Sequence, residues 1–462
     1  MKRLFLYPIF VVVFTNLIYA NNLAQKIVKF HNTIFNNAIN FVAKESKNGY
    51  EITIKPISYP YNTFLKDNAT IHIAVDEGPL ILNPSFGIGK AGLEANIDIL
   101  NILNSDIAIP LKRKFKDGLK YKYIGKISFD NDLDESFEFK PINLINDDTN
   151  ISISKGKFNI SSNLDEIKPT FSANIDYIKL TPTTNLDSYI EFDNIKYVAK
   201  ATNPPVENYL LFVDSKIDFG KIIIKYNDRG LVYVEGSLSL VGNIEKVNET
   251  LSNFTLKEEF KTANKDTIAL FKGVKSNSFE FSLKSVGTKG LIGLIKLQEE
   301  QDNIQQELIK ASKNNDDIAM QKAIIKMSEL SNKFVYVFND LLIGGKSKIV
   351  STLKLNSDNT SYIKLDLLYK GKPLSGNITS ALILLGAQGL NLFDGNIEAK
   401  IDSNLANSIN PMSSLILGML QSKGLIKMKN GIYELKAKLK DGKVIINNKS
   451  YTLQELSATL LQ

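Results

Sequence analysis

The residues of this chain that could perform acid–base or metal chemistry are few. Cysteine is absent, which excludes disulfides, thiolate metal sites and cysteine nucleophiles. The two histidines are His31 and His72. His72 alternates with Ile71 and Ile73, so it is predicted to lie on the polar face of a strand, where a histidine is usually solvated. The histidines therefore predict neither a catalytic base nor a zinc site.

Adjacent carboxylates are the next candidates for chemistry. They occur in the pairs Asp76-Glu77, Asp147-Asp148 and Asp316-Asp317. Glycosidase chemistry needs two carboxylates about 5 to 10 Å apart on a rigid cleft, and the sequence does not establish such a separation. The pairs also lack the alternating oxygen-ligand spacing of a calcium loop. We predict no catalytic, cofactor-binding or metal-binding residue and a protein that is not an enzyme, with a carboxylate hydrolase kept as an alternative.

The first acidic pair is interpreted as part of a turn. Pro79 fixes φ and lacks an N–H, so a central strand cannot continue through it. Gly78 can supply a positive φ, and Asp76 can accept a hydrogen bond from backbone N–H groups two residues on. Asp76, Gly78 and Pro79 are therefore predicted to terminate a strand.

The first twenty residues have the pattern of an export segment. A positively charged start is followed by the apolar residues 4–20, which end at Ala20. Residues 1–20 are predicted to be either a cleaved signal peptide or a membrane anchor. Both alternatives predict a periplasmic protein, soluble or anchored to the inner membrane by its N-terminus.

The positive charge of the chain is not interpreted as a nucleic-acid footprint. The formal net charge is +7, but arginine occurs only at Arg3, Arg113 and Arg229. Readers of phosphate and of base edges favour the bidentate guanidinium, and the lysines here are spread along the chain. No nucleic-acid partner is predicted.

Hydrophobic periodicity predicts a helix followed by a long β region. Residues 22–45 carry apolar side chains at three- and four-residue spacings, with His31 on or near the polar side. This helix is expected to pack on a sheet, with membrane association through residues 1–45 as the alternative. Residues 50–285 alternate apolar with polar residues and contain no pattern for helices of ten to fifteen residues, which favours antiparallel strands.

The rest of the chain is predicted to mix helices and strands. A helical hairpin is expected over 287–342, with Asp316 or Asp317 as an N-cap. Strands return after it, with helical patches at 376–393 and near 411–424. The end is predicted to be a meander with turns at Asn430-Gly431 and Asp441-Gly442, then a helix opened by a capping box of Thr452 and Glu455.

Together these patterns predict a mainly β (α+β) protein. It would have an extended, twisted antiparallel sheet, an inserted helical hairpin and flanking helices. The predicted segments are a signal peptide or anchor (1–20), an N-terminal helix with an antiparallel β region (21–286), the hairpin (287–342) and a C-terminal β/α region (343–462).

The stretch of Asp76, Gly78 and Pro79 resembles a segment of the YdgA-like family, which are bacterial envelope proteins of unknown function. The export segment, the helical insertion and the closing residues 433–456 resemble that family in the same order. The resemblance covers nearly the whole chain and implies a periplasm-facing protein with no assigned catalytic residue. Two features depart from the family: Glu77 stands where some relatives have histidine, and the N-terminus looks more cleavable than a family anchor.

Two functional hypotheses follow from the sequence. The first is a non-catalytic envelope protein with a structural or protein-interaction role, its partner being a second copy or another envelope protein. The second is a periplasmic protein that binds or transfers a lipid or another hydrophobic ligand. It would use an apolar β groove left uncovered by the helices.

Overall fold

A computed structural model of the chain describes residues 22–35, 39–46, 49–57, 61–77, 91–128, 130–145, 148–185, 187–207, 209–227, 231–262, 274–357, 359–371, 374, 389–409 and 411–461. These residues are mainly β, with 22 strands in antiparallel pairings and several helices. The predicted fold class is confirmed. The chain divides into two compact units, Met1–Thr183 with Asp193–Ser215 and Thr184–Phe192 with Lys216–Gln462. This division depends on spatial contacts, whereas the segments predicted from the sequence follow changes of periodicity.

The first unit is an antiparallel sheet with short helices. Its strands are β1 (Ile39–Ser46), β2 (Gly49–Pro56), β3 (Ala69–Glu77), β4 (Ala91–Asp98), β5 (Lys120–Ile127), β6 (Asp132–Phe139), β7 (Ile142–Ile145), β8 (Thr149–Ile153), β9 (Gly156–Asn163) and β10 (Thr170–Pro182). Its helices are α1 (Asn22–Ile34), α2 (Tyr61–Phe64) and α3 (Ser105–Lys114). Strands pair in the order β1-β2-β3-β4-β5-β6-β9-β10. The second half of β10 pairs with β8, which pairs with β7.

The core of this unit lies on one face of the sheet, because alternate residues of each strand point to the same side. Along β6, Leu133 and Phe137 are buried while their neighbours are more exposed. The ring of Phe137 stacks on that of Tyr123 in β5 with centroids 5.0 Å apart. Phe30 of α1 is also fully buried in this core. Each such side chain contributes roughly 1.5–3 kcal/mol through burial.

The structure corrects three expectations in this unit. The helix predicted over 22–45 ends at Ile34, and 39–46 form β1, where Ile39 and Phe41 are buried and Val42 is exposed with strand periodicity. His31, expected near a polar face, is buried. The ten-residue helix α3 interrupts the region predicted to lack helices of that length.

The second unit continues the antiparallel pattern. β11 (Tyr189–Ala201) and β12 (Val213–Asn227) precede its main strands in the sequence, and each has residues in both units. The main strands are β13 (Leu231–Lys246), β14 (Leu251–Thr262), β15 (Ser276–Gly287), β16 (Lys348–Asn356), β17 (Thr360–Tyr369), β18 (Phe393–Asp402), β19 (Lys427–Lys429), β20 (Ile432–Lys440), β21 (Lys443–Ile446) and β22 (Lys449–Tyr451). They pair in the order β13-β14-β15-β16-β17-β18-β20. β19 and β21 pair with different parts of β20, and β22 pairs with β21.

The predicted helical hairpin consists of α4 (Thr288–Lys313) and α5 (Asp317–Leu341). It is inserted between β15 and β16, which pair directly with each other. Buried Ile304, Ala323 and Leu330 form the contact between the two helices. The side chain of Asp316 accepts a hydrogen bond from the N–H of Ala319 at 3.0 Å, which confirms the N-cap prediction.

The C-terminal meander is confirmed in its turns. Asn430 and Gly431 both have positive φ, as do Asp441 and Gly442, which is the requirement of a two-residue hairpin turn of type I′.

The capping box is also confirmed. Glu455 accepts a hydrogen bond from the N–H of Thr452 at 2.7 Å, and Thr452 Oγ1 accepts one from the N–H of Glu455 at 3.2 Å. This exchange begins the last helix, α8 (Leu453–Leu461).

Two further helices follow β18; the first was not predicted, and the second confirms the patch predicted near 411–424. They are α6 (Ser403–Ile409) and α7 (Pro411–Ser422). Most of the patch predicted over 376–393, and the whole of the export segment, lie outside the described residues. Among the helices that the structure describes, none is both long and apolar enough to cross a membrane.

Candidate functional site

An apolar groove lies on one face of the second unit's sheet. Residues directly opposite each other in antiparallel strands point to the same side. Leu353 of β16 is opposite Ile363 of β17, and Leu355 is opposite Ser361. Ile401 of β18 also lines the groove. The period-two alternation of these three strands therefore supplies a mostly apolar floor.

The helices α6 and α7 form the other wall, and buried Asp402 fixes where α6 begins. Asp402 Oδ1 accepts a hydrogen bond from the N–H of Leu405 at 2.9 Å. The N–H of Asp402 donates to Ser361 Oγ at 2.9 Å, and Asn359 Nδ2 donates to Asp402 Oδ2 at 2.6 Å. The carboxylate thus caps the helix and holds Asn359, while the backbone N–H of Asp402 ties the helix start to β17, so the end of β18 leads directly into the helical wall.

The groove has a volume of about 310 Å³. It is lined by Leu353, Leu355, Ser361, Tyr362, Ile363, Ile401, Leu405, Ala406, Ser413, Ile416 and Leu417. None of these residues carries a formal charge, and the hydroxyls of two serines and one tyrosine are the polar side-chain groups. Binding sites for small molecules are typically about 300–1,000 Å³, mostly apolar, with a few polar groups. The groove fits this description, with a volume at the lower end of the range.

The rim of the groove exposes large apolar side chains. On α7, Met412, Leu415, Ile416 and Met419 are 56%, 58%, 53% and 45% exposed. Their spacing of three, four and seven residues places them on one side of the helix. We call these four residues the α7 face. An exposed apolar surface next to a groove is typical of a binding site rather than of a solvated helix.

A second candidate is a buried polar cluster in the first unit, formed by His31, Tyr123 and Glu135. The hydroxyl of Tyr123 donates to Glu135 Oε1 at 3.0 Å, and His31 Nε2 lies 3.3 Å from the same oxygen. Glu135 occupies a position of β6 on the same face as Leu133 and Phe137, which is why a carboxylate is found inside the core.

The chemistry of this cluster is controlled by burial. His31 is 1% exposed, and its ring centroid lies 4.7 Å from that of Phe30. Desolvation lowers the pKa of His31, and the charge and hydrogen bond of Glu135 offset this only partly. His31 Nδ1 and the Oε2 atom of Glu135 lack a hydrogen-bond partner among the described residues. Because the cluster is enclosed by apolar side chains, we interpret it as part of the packing of α1 rather than as a catalytic centre.

The residues singled out in the sequence lie at separate places. Asp76 lies near the end of β3, opposite Gly92 of β4, whereas Gly78 and Pro79 lie outside the described residues, so the turn remains a prediction. His72 is exposed on the face opposite buried Ile71 and Ile73, as predicted. Within the described ranges, no group of three histidine, aspartate or glutamate side chains could hold a metal ion.

Sequence reasoning did not identify the two candidate sites, although each has a signal. Glu135 occupies an apolar-face position in an alternating strand, and a carboxylate there indicates a buried partner. The α7 face is visible as four apolar residues at helical spacing in a segment without charge. Its exposure depends on tertiary packing, which no local pattern reveals.

Comparison of the chain with protein-family models, with curated proteins and with solved structures finds no match. The resemblance to the YdgA-like family therefore stays a prediction from the residues that carry it.

Proposed function

We propose that this chain is a non-catalytic, exported cell-envelope protein that binds a hydrocarbon chain, such as the acyl chain of a lipid, in the groove of its second unit. The observation that carries the proposal is the groove itself: about 310 Å³, without a charged residue in its lining. It favours the second of the two hypotheses drawn from the sequence.

The expected interaction is burial of methylene groups against isoleucine and leucine. Each buried methylene contributes about 0.8 kcal/mol, so a run of about eight gives roughly 6 kcal/mol before the cost of association. The polar end of the ligand would stay near the open side, where Ser361, Tyr362 and Ser413 supply hydroxyl groups. With this arrangement the groove would select its ligand by shape and hydrophobicity rather than by charge.

The interaction role remains the second candidate, because a different surface supports it. Ile318, Ile324 and Ile325 of α5 are 69%, 60% and 59% exposed on the helical hairpin. Exposed isoleucines in this number suit contact with another envelope protein or with a second copy. Both candidate functions assume a periplasmic location, which is predicted from the pattern of residues 1–20. Cell fractionation would check it.

Native mass spectrometry of the protein extracted from its own envelope tests the ligand-binding proposal. We expect a lipid-sized adduct that disappears on denaturation. Ile416→Asp should abolish it, because a carboxylate would enter the apolar lining. Ile325→Asp is the matched control, since it introduces the same charge at a similarly exposed isoleucine outside the groove. A clean apo mass of the wild-type protein would overturn the proposal, as would an adduct that survives Ile416→Asp.

A further inference from the structure

The outer side of α5 carries an apolar line on the side of the helix that α4 does not cover. Ile325 is 59% exposed, and Ile318, two helical turns before it, is 69% exposed. With about 100° of rotation per residue, the two isoleucines lie within about 20° of each other around the helix. Ala323 and Leu330, which contact α4, lie about 140–160° away from Ile325.

Two opposite charges flank this line on the same side. Lys322 precedes Ile325 by three residues, and Glu329 follows it by four. The two charged residues lie about 60° and about 40° around the helix from Ile325, in the same direction, and both are exposed. Among the described residues neither of them has an ion-pair partner, whereas Lys326 pairs with Glu307 of α4 at 2.7 Å.

The positions of these charges are complementary under a two-fold axis. In a two-fold contact, each residue of one copy meets a residue that lies equally far beyond the axis in the other copy. If two α5 helices pack antiparallel with the axis beside Ile325, Lys322 of each copy is level with Glu329 of the other to within about 1.5 Å. Because the axis runs across both helices, side chains on one flank of α5 meet the same flank of its copy, so both ion pairs can form.

From these observations we infer that the outer side of α5 joins two copies of this chain in an antiparallel, two-fold contact. The helix begins eight residues before Ile325, so the two helices overlap over residues 317–333. Ile325 meets its own equivalent at the axis, and the pair of Lys322 with Glu329 forms twice, which sets the register of the contact. The inference rests on the interaction role, for which it names the partner, and it holds whether or not the groove is filled.

Charge exchange tests this contact, because only a self-complementary surface regains its ion pairs when both charges are reversed. In analytical ultracentrifugation we expect the purified protein to dimerise at concentrations of order 10 µM. Lys322→Glu alone and Glu329→Lys alone should each raise the dissociation constant about tenfold, and the two together should restore it. Lys438→Glu, at an exposed position of β20 opposite Asn396, is the matched control and should leave the constant unchanged.

Three results of the charge exchange would overturn the inference. The first is a protein that stays monomeric at about 100 µM. The second is a dimer that neither single reversal weakens, which would place the contact elsewhere on the chain. The third is a double reversal that dimerises as weakly as the single ones, because the two charges would then not face each other across the axis.

Single cysteines test the position of the axis, because the chain contains no cysteine. In Ile325→Cys the two thiols of a dimer would face each other, and mild oxidation with copper phenanthroline should join them, since a disulfide needs Cα atoms about 4.4–6.8 Å apart. In Ile318→Cys each thiol would be about 10 Å along the helix from the axis, so the two would be about 20 Å apart and should stay unlinked. Equal cross-linking at both positions would show that the antiparallel arrangement is wrong.

The dimer and the ligand-binding groove can fail separately. Lys322 lies outside the groove lining, so the adduct seen by native mass spectrometry should persist in monomeric Lys322→Glu. A dimer without an adduct would leave the α5 contact and remove the ligand proposal. An adduct on a wild-type protein that stays monomeric would do the reverse.

Discussion

Glu135 is an acidic residue on the face of β6 that otherwise buries apolar side chains. Its buried carboxylate is stabilised by the residues around it. Its Oε1 atom accepts the hydroxyl hydrogen bond of Tyr123, and His31 Nε2 lies within 3.3 Å. A buried carboxylate without such contacts would be strongly destabilising. At the scale of single residues, α1 is therefore attached to the sheet by polar as well as apolar contacts.

Replacing Tyr123 by phenylalanine is expected to lower the free energy of unfolding by about 1–3 kcal/mol, because Glu135 would lose a donor while staying buried. Urea unfolding followed by circular dichroism measures the change. Tyr336→Phe is the control, since that hydroxyl is on a side chain 70% exposed. An unchanged unfolding midpoint in Tyr123→Phe would contradict the role given to this hydrogen bond.

The lowered pKa of His31 predicts a dependence of stability on pH. Below its ordinary value of 6.5 the unfolded histidine takes up a proton while the folded one, held neutral by desolvation, does not. The unfolded state then binds more protons, so the free energy of unfolding falls as the pH decreases from about 6.5, by at most about 1.4 kcal/mol per pH unit. In His31→Gln, the part of this pH-dependent loss of stability that His31 causes should be missing between pH 6.5 and 5.

The matched control for this experiment is His72→Gln, because His72 is exposed on its strand. That variant should keep the slope of the wild-type protein. If His31→Gln and the wild-type protein lose stability in parallel over this range, the burial of neutral His31 does not contribute to the acid sensitivity.

Sequence reasoning did not identify this cluster, because its members come from separate elements. The positions of Glu135 on β6 and of His31 beside Phe30 could be read from the periodicity of each element. That the two meet depends on which strands pair and on where α1 packs, and these are long-range properties. For the same reason His31 was wrongly predicted to lie near a polar face.

At the scale of elements, a close approach of backbones fixes the base of the helical hairpin. A Cβ added to Gly290 in α4 would lie 2.3 Å from both the backbone nitrogen and the Cα atom of Leu341 in α5. Those atoms cannot move aside without displacing the helix. Glycine is therefore required here by packing and not by a turn.

Gly290→Ala is expected to lower the free energy of unfolding by about 1–3 kcal/mol through overpacking, although alanine is the better helix former. Gly418→Ala in α7 is the control, because no atom lies within 4 Å of the added Cβ. That variant should be unchanged or more stable by up to about 1 kcal/mol. A Gly290→Ala protein as stable as the wild type would show that the two helices can separate at their base at no cost.

Elements with a local chemical cause were predictable, and those without one were not. The turns at Asn430-Gly431 and Asp441-Gly442 and the caps at Asp316 and Thr452 each depend on residues adjacent in sequence. The helix α3 was missed because Pro110 lies inside it, and an interior proline usually indicates a break. The first helix was predicted too long because the apolar residues of β1 continue its spacing by coincidence.

At the scale of the whole molecule, several of the lysines that make the net charge +7 are paired with carboxylates on the polar faces of strands. Lys157 pairs with Glu138 at 3.0 Å, and Lys122 pairs with Glu94 at 3.2 Å. Within the described part of the chain, pairs of this kind place a carboxylate beside each of these lysines, which weakens their attraction for a phosphate backbone.

We therefore expect no specific affinity for DNA. Anisotropy of a fluorescent 20-base-pair duplex at 150 mM salt should give a dissociation constant weaker than about 10 µM. The same titration at 50 mM salt measures the non-specific attraction, which weakens as the salt concentration rises. Binding tighter than about 1 µM at 150 mM salt would contradict the prediction that the chain has no nucleic-acid partner.

The fold class was predictable at this scale, whereas the groove was not. Clean alternation over many strands indicates antiparallel pairing wherever it occurs. The groove requires that β16, β17 and β18 be neighbours and that α6 and α7 return over them. Strand order is a property of the assembled sheet, so the sequence could only suggest that some apolar face would remain uncovered.

The insertion of the hairpin between two paired strands has a consequence for the order of folding. Lys284 of β15 is directly opposite Lys348 of β16, and all of α4 and α5 lies between them in the chain. If the segment between these strands were a flexible chain, closing so long a loop would delay strand pairing. Helices form in microseconds or less, however, and the contact between α4 and α5 is local in sequence. Once formed, the hairpin holds its own two ends side by side. We therefore expect this pairing, although remote in sequence, to form almost as a local event, with the inserted helices guiding the sheet into register.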